Sequence, residues 1–189
     1  MREQLSQKGE AIMLKMRSIV IVSLILTATG MYVREAGAQR DAAPAGVSNY
    51  TRVDATVACA GATPVQALPE LKRDGFASVI NFRLAEEQGA NIEESKAMAA
   101  KVGLRYIHLP LRTPTAEIAD AFLKAVADPA NQPVYIHCAS ANRVGAMWFI
   151  KRVKLDGWDT GRAMTEAEAL GLRSANLKAF ALEYVGAKK

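Results

Sequence analysis

The run Val134-Tyr135-Ile136-His137 leads straight into Cys138-Ala139-Ser140-Ala141-Asn142-Arg143, and a helical period starts directly behind it. From Val144 to Leu155 the chain reads as a helix, with apolar residues at Val144, Met147, Trp148, Ile150 and Val153 among others. The order is therefore buried strand, tight loop, helix N-terminus. A thiol at such a junction faces unpaired amides and the positive end of a helix dipole, with a guanidinium close by. That setting favours a nucleophilic thiolate and binds an oxyanion.

The remaining chain has the same alternation. Short strand-like runs, mostly apolar and not alternating, occur at Ala55–Ala60, Ser78–Phe82 and Arg105–Leu109, besides Val134–His137. Helical stretches lie between and after them. The first follows Gly61-Ala62, with Thr63 as cap, Pro64 at the first helical position and Gln66 closing a capping box, and stops at Gly75. The second is Ile92 to Val102, ended by Gly103. The third opens at Thr113-Pro114 and carries Ile118, Phe122 and Val126 on one face. Val144–Leu155, Asp159–Leu170 and Ser174–Val185 follow the cysteine loop. Strands of this kind imply a mainly parallel sheet covered on both faces. The expectation is a small three-layer α/β domain with a four- or five-stranded sheet flanked by helices. Ligands of such sheets bind outside the carboxyl ends of the strands, where Cys138 falls.

Near the N-terminus, Ser18–Met31 is an uninterrupted apolar to weakly polar run, preceded by Lys15 and Arg17 and followed by Ala36-Gly37-Ala38. This is the layout of a secretory signal peptide cut after Ala38, and the run is short for a spanning helix. An uncleaved anchor is the alternative, and Met13 or Met16 is an alternative start. The expected organisation is a signal peptide over 1–38, a polar linker over 39–52 and a catalytic domain over 53–186, in a periplasmic or secreted protein. A membrane would be met only through the signal segment, if uncleaved. The formal charge of +5 shrinks to +3 beyond Ala38. No basic stripe with interleaved aromatics points to nucleic acid. Two cysteines and two histidines at these positions do not form a metal-ligand pattern, and no Gly-rich nucleotide fingerprint is present, so neither metal nor cofactor is expected.

The strand-His-Cys-loop-Arg-helix unit resembles the active-site loop of cysteine-dependent protein tyrosine and dual-specificity phosphatases. Over about residues 53 to 185 the chain is more similar to the beta-lactamase-hydrolase-like phosphatase-like domains. The matching stretches are Glu70–Arg83, Gly103–Pro110, His137–Gly145 and Glu168–Leu172. The resemblance implies a phosphoric monoester hydrolase acting on a phosphorylated small molecule or phosphoprotein. In it Cys138 forms a phosphocysteine, while Arg143 and the amides of Ala139, Ser140, Ala141 and Asn142 bind the phosphate oxygens. Many relatives carry glycine where Ala141 stands, and alanine disfavours a positive φ there. His137 orients the loop through a ring nitrogen, and His108 is a core or rim residue.

The superfamily's usual loop has five residues between Cys and Arg, and this one has four. A loop this short also resembles rhodanese-type sulfurtransferases, whose cysteine carries a persulfide. The superfamily's upstream acid is usually an Asp on a loop. Here Glu117 and Asp120 lie on the third helix instead, with Glu86 and Glu87 as further candidates. Three readings stay open: a phosphatase-like hydrolase, a sulfurtransferase using the same cysteine, and a non-catalytic anion-binding module. Cys59, at the end of the first strand, is a candidate for a reversible disulfide with Cys138.

Overall fold

The computed structural model describes residues 42–187. The expected signal segment lies outside them. Five strands form one sheet: β1 (Thr51–Arg52), β2 (Val57–Ala60), β3 (Ser78–Asn81), β4 (Arg105–His108) and β5 (Val134–His137). Their order is β1-β2-β5-β3-β4; β1 is antiparallel to β2 and all other pairs are parallel. Six helices flank it: α1 (Leu68–Arg73), α2 (Ile92–Val102), α3 (Ala116–Ala127), α4 (Asn142–Lys154), α5 (Thr160–Leu170) and α6 (Ala175–Gly186).

Alternate residues of the inner strands feed two separate cores, which is why their runs are largely apolar. Ala58, Ala60, Val79 and Tyr135 pack against Leu68 and Leu71 of α1 and Ala99 of α2. Val57, Cys59, Ile80, Val134 and Ile136 face the other way, into Phe122 of α3, Met147 and Ile150 of α4, Ala167 of α5 and Ala181 of α6. The sheet is thus the middle of three layers. Burying each of the larger side chains stabilises the fold by about 1.5–3 kcal/mol.

The structure corrects some helix starts. Thr63 does not cap α1. Its hydroxyl is 2.7 Å from the Tyr135 hydroxyl and donates to the Gly61 carbonyl, so a buried tertiary partner has taken the group that a cap would need. A 3-10 turn over Val65–Ala67 then precedes α1, with no side-chain cap at Pro64. Helix α3 opens at Ala116 rather than at Thr113-Pro114, because Thr115 accepts from the amide of Ile118. Helix α4 begins at Asn142, two residues before the apolar period, which puts Arg143 on its first turn.

The stretch expected to be a linker is docked from Pro44 onward. Ser48 exchanges bonds with Gly61 and Ala62, Tyr50 stacks on Tyr135 at 6.4 Å, and Thr51 pairs with Cys59 in the sheet. Gly61 permits the approach: a Cβ there would lie 2.6 Å from the Ser48 hydroxyl. Among the described residues no helix is long and apolar enough to cross a membrane.

Candidate active site

Strand β5 is the middle strand, and its carboxyl end opens between β2 and β3. Cys138 is the next residue. Its amide still donates to the Ala60 carbonyl at 3.3 Å, so the thiol is held at the rim of the sheet by an extension of the β2–β5 ladder. The side chain is buried. The chain then reverses at Ala141, which has φ +63° and is the N-cap residue of α4. The alanine does adopt the left-handed conformation, contrary to what its Cβ disfavours; the cost is about 1–2 kcal/mol. Packing holds it there. Gly171 closes on the loop so tightly that a Cβ on it would sit 3.0 Å from that of Ala141 and 3.3 Å from the Ser140 carbonyl.

Asn142 carries the loop's main anchor. Its Oδ1 accepts from the amides of Arg173 and Ser174 at 2.9 and 3.1 Å, tying the first residue of α4 to the α5–α6 connection. On the other side the Asn49 side chain donates to the Ser140 carbonyl at 3.2 Å. Neither tie was visible in the sequence.

Arg143 is fixed by a carboxylate. Its two terminal nitrogens donate to Glu87 Oε1 and Oε2 at 2.6 and 2.9 Å, and Nη1 also reaches the carbonyls of Phe82 and Leu111. Glu87 is in turn held by the Leu84 amide and by Arg83. The bond from Arg143 pulls the Glu87 carboxyl down to about 2, so it is ionised at any ordinary pH. Glu87 is the counter-ion of Arg143 and has no proton to donate. Burial opposes the charge on Arg143, yet the bonds to Glu87 and the nearness of Cys138 hold the guanidinium above its ordinary value.

His137 is buried against Tyr135, and its Nδ1 has no hydrogen-bond partner. Burial, with the charge of Arg83 close by, drops its pKa to about 3, so the ring is neutral. His108 bonds through Nε2 to the Arg83 carbonyl on the rim of the sheet.

A cavity of about 770 Å³ opens over this arrangement. Ser140, Asn142 and Arg143 form its floor, with Glu87 beside them. Leu84, Leu111, Pro114, Leu177 and Phe180 give an apolar wall, and Arg112, Thr113 and Glu183 a polar one. Arg112 is itself paired with Glu86. The structure does not bring Glu117 or Asp120 to the cavity. Glu117 is exposed on the first turn of α3, where its bonds to its own amide and to Thr115 lower its pKa. Asp120 accepts the hydroxyl of Tyr184 from α6.

Cys59 does not reach Cys138. It stands opposite Ile136, one strand over and two residues back from Cys138. Strand spacings put the two Cα atoms about 8 Å apart, beyond disulfide reach. Both thiols are free, and burial pushes that of Cys59 up. Among the described residues no cluster of three or more His, Cys, Asp or Glu side chains could hold a metal.

The site thus sets a cysteine at the end of the central parallel strand just before an arginine on the first turn of the next helix. Residues 49–154 match the phosphatase-like domain of beta-lactamase hydrolase-like proteins, and the chain belongs to that family. It is 33% identical over 111 residues to the beta-lactamase hydrolase-like protein of Agrobacterium fabrum. The match takes in 56% of this chain and 25% of that one, so the chain spans about a quarter of its relative's length. Among solved structures the fold is similar to TpbA of P. aeruginosa (24% identity, TM-score 0.57, 82% of this chain and 94% of that one). It is also similar to the core catalytic domain of the PP-IP phosphatase SIW14 from S. cerevisiae (19%, TM-score 0.61, 72% and 85%).

Proposed function

We propose that the chain hydrolyses phosphomonoesters through Cys138. The observation that carries this reading is the juxtaposition of Cys138, the left-handed turn at Ala141 and the braced guanidinium of Arg143 around one helix N-terminus. The Cys138 thiolate attacks phosphorus: an S–P bond forms and the P–O bond to the leaving group breaks. The loop amides and Arg143 hold the nonbridging oxygens, where charge concentrates. Water then cleaves the S–P bond, releasing phosphate and the thiolate. Similarity to a TpbA variant solved in complex with pTyr supports a phosphorylated substrate.

Two carboxylates line the cavity, and neither suits the acid's role. Glu87 is ionised and committed to Arg143. Glu183 lies nine residues along α6 from Ser174, about 13 Å at 1.5 Å per residue, and Ser174 is where that helix meets the loop. Esters whose leaving group departs without a proton, such as aryl phosphates, are therefore the favoured substrates.

Two observations favour a second reading. The four-residue loop and the absence of a free acid in the cavity suit a sulfurtransferase, in which Cys138 accepts a sulfane sulfur as a persulfide and passes it to a thiophilic acceptor. Para-nitrophenyl phosphate hydrolysis, run beside thiosulfate-to-cyanide transfer on reduced protein, separates the two. The phosphatase reading expects phosphate release that Cys138→Ser abolishes. Sulfur transfer alone would replace it with the second reading. Neither activity, with phosphate still raising Tm, would leave an anion-binding module. We also infer export, on the apolar run Ser18–Met31 and the small residues at Ala36-Gly37-Ala38. Intact mass of the protein from its native host should then show a chain that begins at Gln39; a retained segment would refute cleavage.

A further inference from the structure

A second cavity borders the catalytic loop. Ser140 borders both cavities. This one, of about 310 Å³, is lined also by Asn49, Thr51, Gly171 and Arg173, and none of its lining residues is acidic. Arg173 is held in place there. Its amide bonds to Asn142 Oδ1, and its Nη1 donates to the carbonyls of Glu168 and Leu172. A guanidinium has five N–H donors, and two carbonyls occupy only part of them. Glu168 lies near enough to feel the charge of Arg173, and it is bonded to Lys178 at 2.6 Å. Among the described residues, Arg173 is the one charged residue in the cavity's lining, and it belongs to the segment that anchors the loop.

We propose that Arg173 and the cavity beside Ser140 form a subsite for a second anionic group, so that the preferred substrates are small molecules carrying two phosphates. This rests on the reading of the Cys138 loop as a phosphate cradle. One phosphate sits on the loop amides and Arg143. The other reaches past Ser140 to the Arg173 fork, with the Asn49 and Thr51 side chains in the wall as further polar partners. A charge-assisted contact to a planar guanidinium of this kind is worth about tenfold in affinity.

The test uses the full chain and ligands that cannot be turned over. Methylphosphonate is compared by calorimetry with alkane diphosphonates having one to four methylenes between the two groups. In the wild type the best diphosphonate should bind about tenfold more tightly than methylphosphonate. Arg173→Gln should bring that ratio close to one, and Arg173→Lys should keep part of it. Arg173 is exposed, so both variants should melt near the wild type. A ratio near one in the wild type, or an equal ratio in Arg173→Gln, overturns the subsite; if methylphosphonate still binds in either case, the loop reading stands. If no phosphonate binds at all, both fall. A ratio that depends on Arg173 in a protein that does not hydrolyse para-nitrophenyl phosphate supports the subsite and refutes the phosphatase reading alone.

Discussion

Cys138 and Arg143 share a stretch of six residues, and local chain geometry alone brings them together. Glu87 comes to the same spot from 56 residues away and does something different. A lone cation on the first turn of α4 would be opposed by the helix dipole. Glu87 offsets this with a two-pronged bond and leaves Arg143 pre-set for a tetrahedral anion. Replacing Glu87 by Gln keeps the size and removes the charge. The expected result is a loss of about 1–2 kcal/mol of stability and roughly a tenfold drop in kcat/KM on para-nitrophenyl phosphate. The pH profile identifies the role. A general acid, when removed, takes with it the decline in rate at high pH. A carboxylate ionised down to about pH 2 has no such limb, so Glu87→Gln should lower the whole profile without changing its shape. A vanished high-pH decline would make Glu87 the acid after all.

At the scale of elements, β2 to β5 and α2 were readable because local chemistry decides them, whereas β1 fell in the stretch expected to be a linker. The inner strands β2, β3 and β5 are buried on both faces and largely apolar, and α2 stops at Gly103, whose φ is +73°. The start of α1 was not readable, because the Thr63 hydroxyl goes to Tyr135, 72 residues away. The supports of the loop were hidden for the same reason: Asn49 reaches Ser140 across 91 residues, and Arg173 reaches Asn142 across 31. Gly171 caps the end of α5, and it is also the wall behind Ala141. That double role can be separated. Gly75, after α1, has φ +89° and open space where a Cβ would go, while Gly171 has φ +125° and the loop there. Gly75→Ala should cost about 1 kcal/mol in urea unfolding and leave turnover alone. Gly171→Ala should cost about 2–3 kcal/mol and reduce kcat severalfold, because the loop must shift. Equal turnover in the two variants would show that α5 does not set the loop.

For the whole molecule, the site's electrostatics bear on how the fold responds to acid. His137 sits at the end of the central strand with its ring buried and neutral, its pKa lowered from 6.5 to about 3. Between those values the unfolded chain binds a proton that the folded chain refuses. Stability therefore rises with pH across that window, and it is lost as pH falls from 6.5 toward 3. The slope from this one group is at most about 1.4 kcal/mol per pH unit. Glu87 acts in the same direction but later. Its carboxyl falls from 4.5 to about 2, so its contribution is intact above 4.5 and fades only below. The two windows overlap from 4.5 down to about 3, and the interval from pH 6.5 to 4.5 isolates the histidine. Urea unfolding of the wild type across that interval should show a decline in free energy that His137→Gln makes shallower by up to one proton's worth. Below pH 4.5 both proteins should steepen together as Glu87 and the other paired carboxylates protonate. Parallel lines from 6.5 to 4.5 would mean that the ring accepts a proton inside the fold. The buried Nδ1 would then have to find a carbonyl or water as its partner.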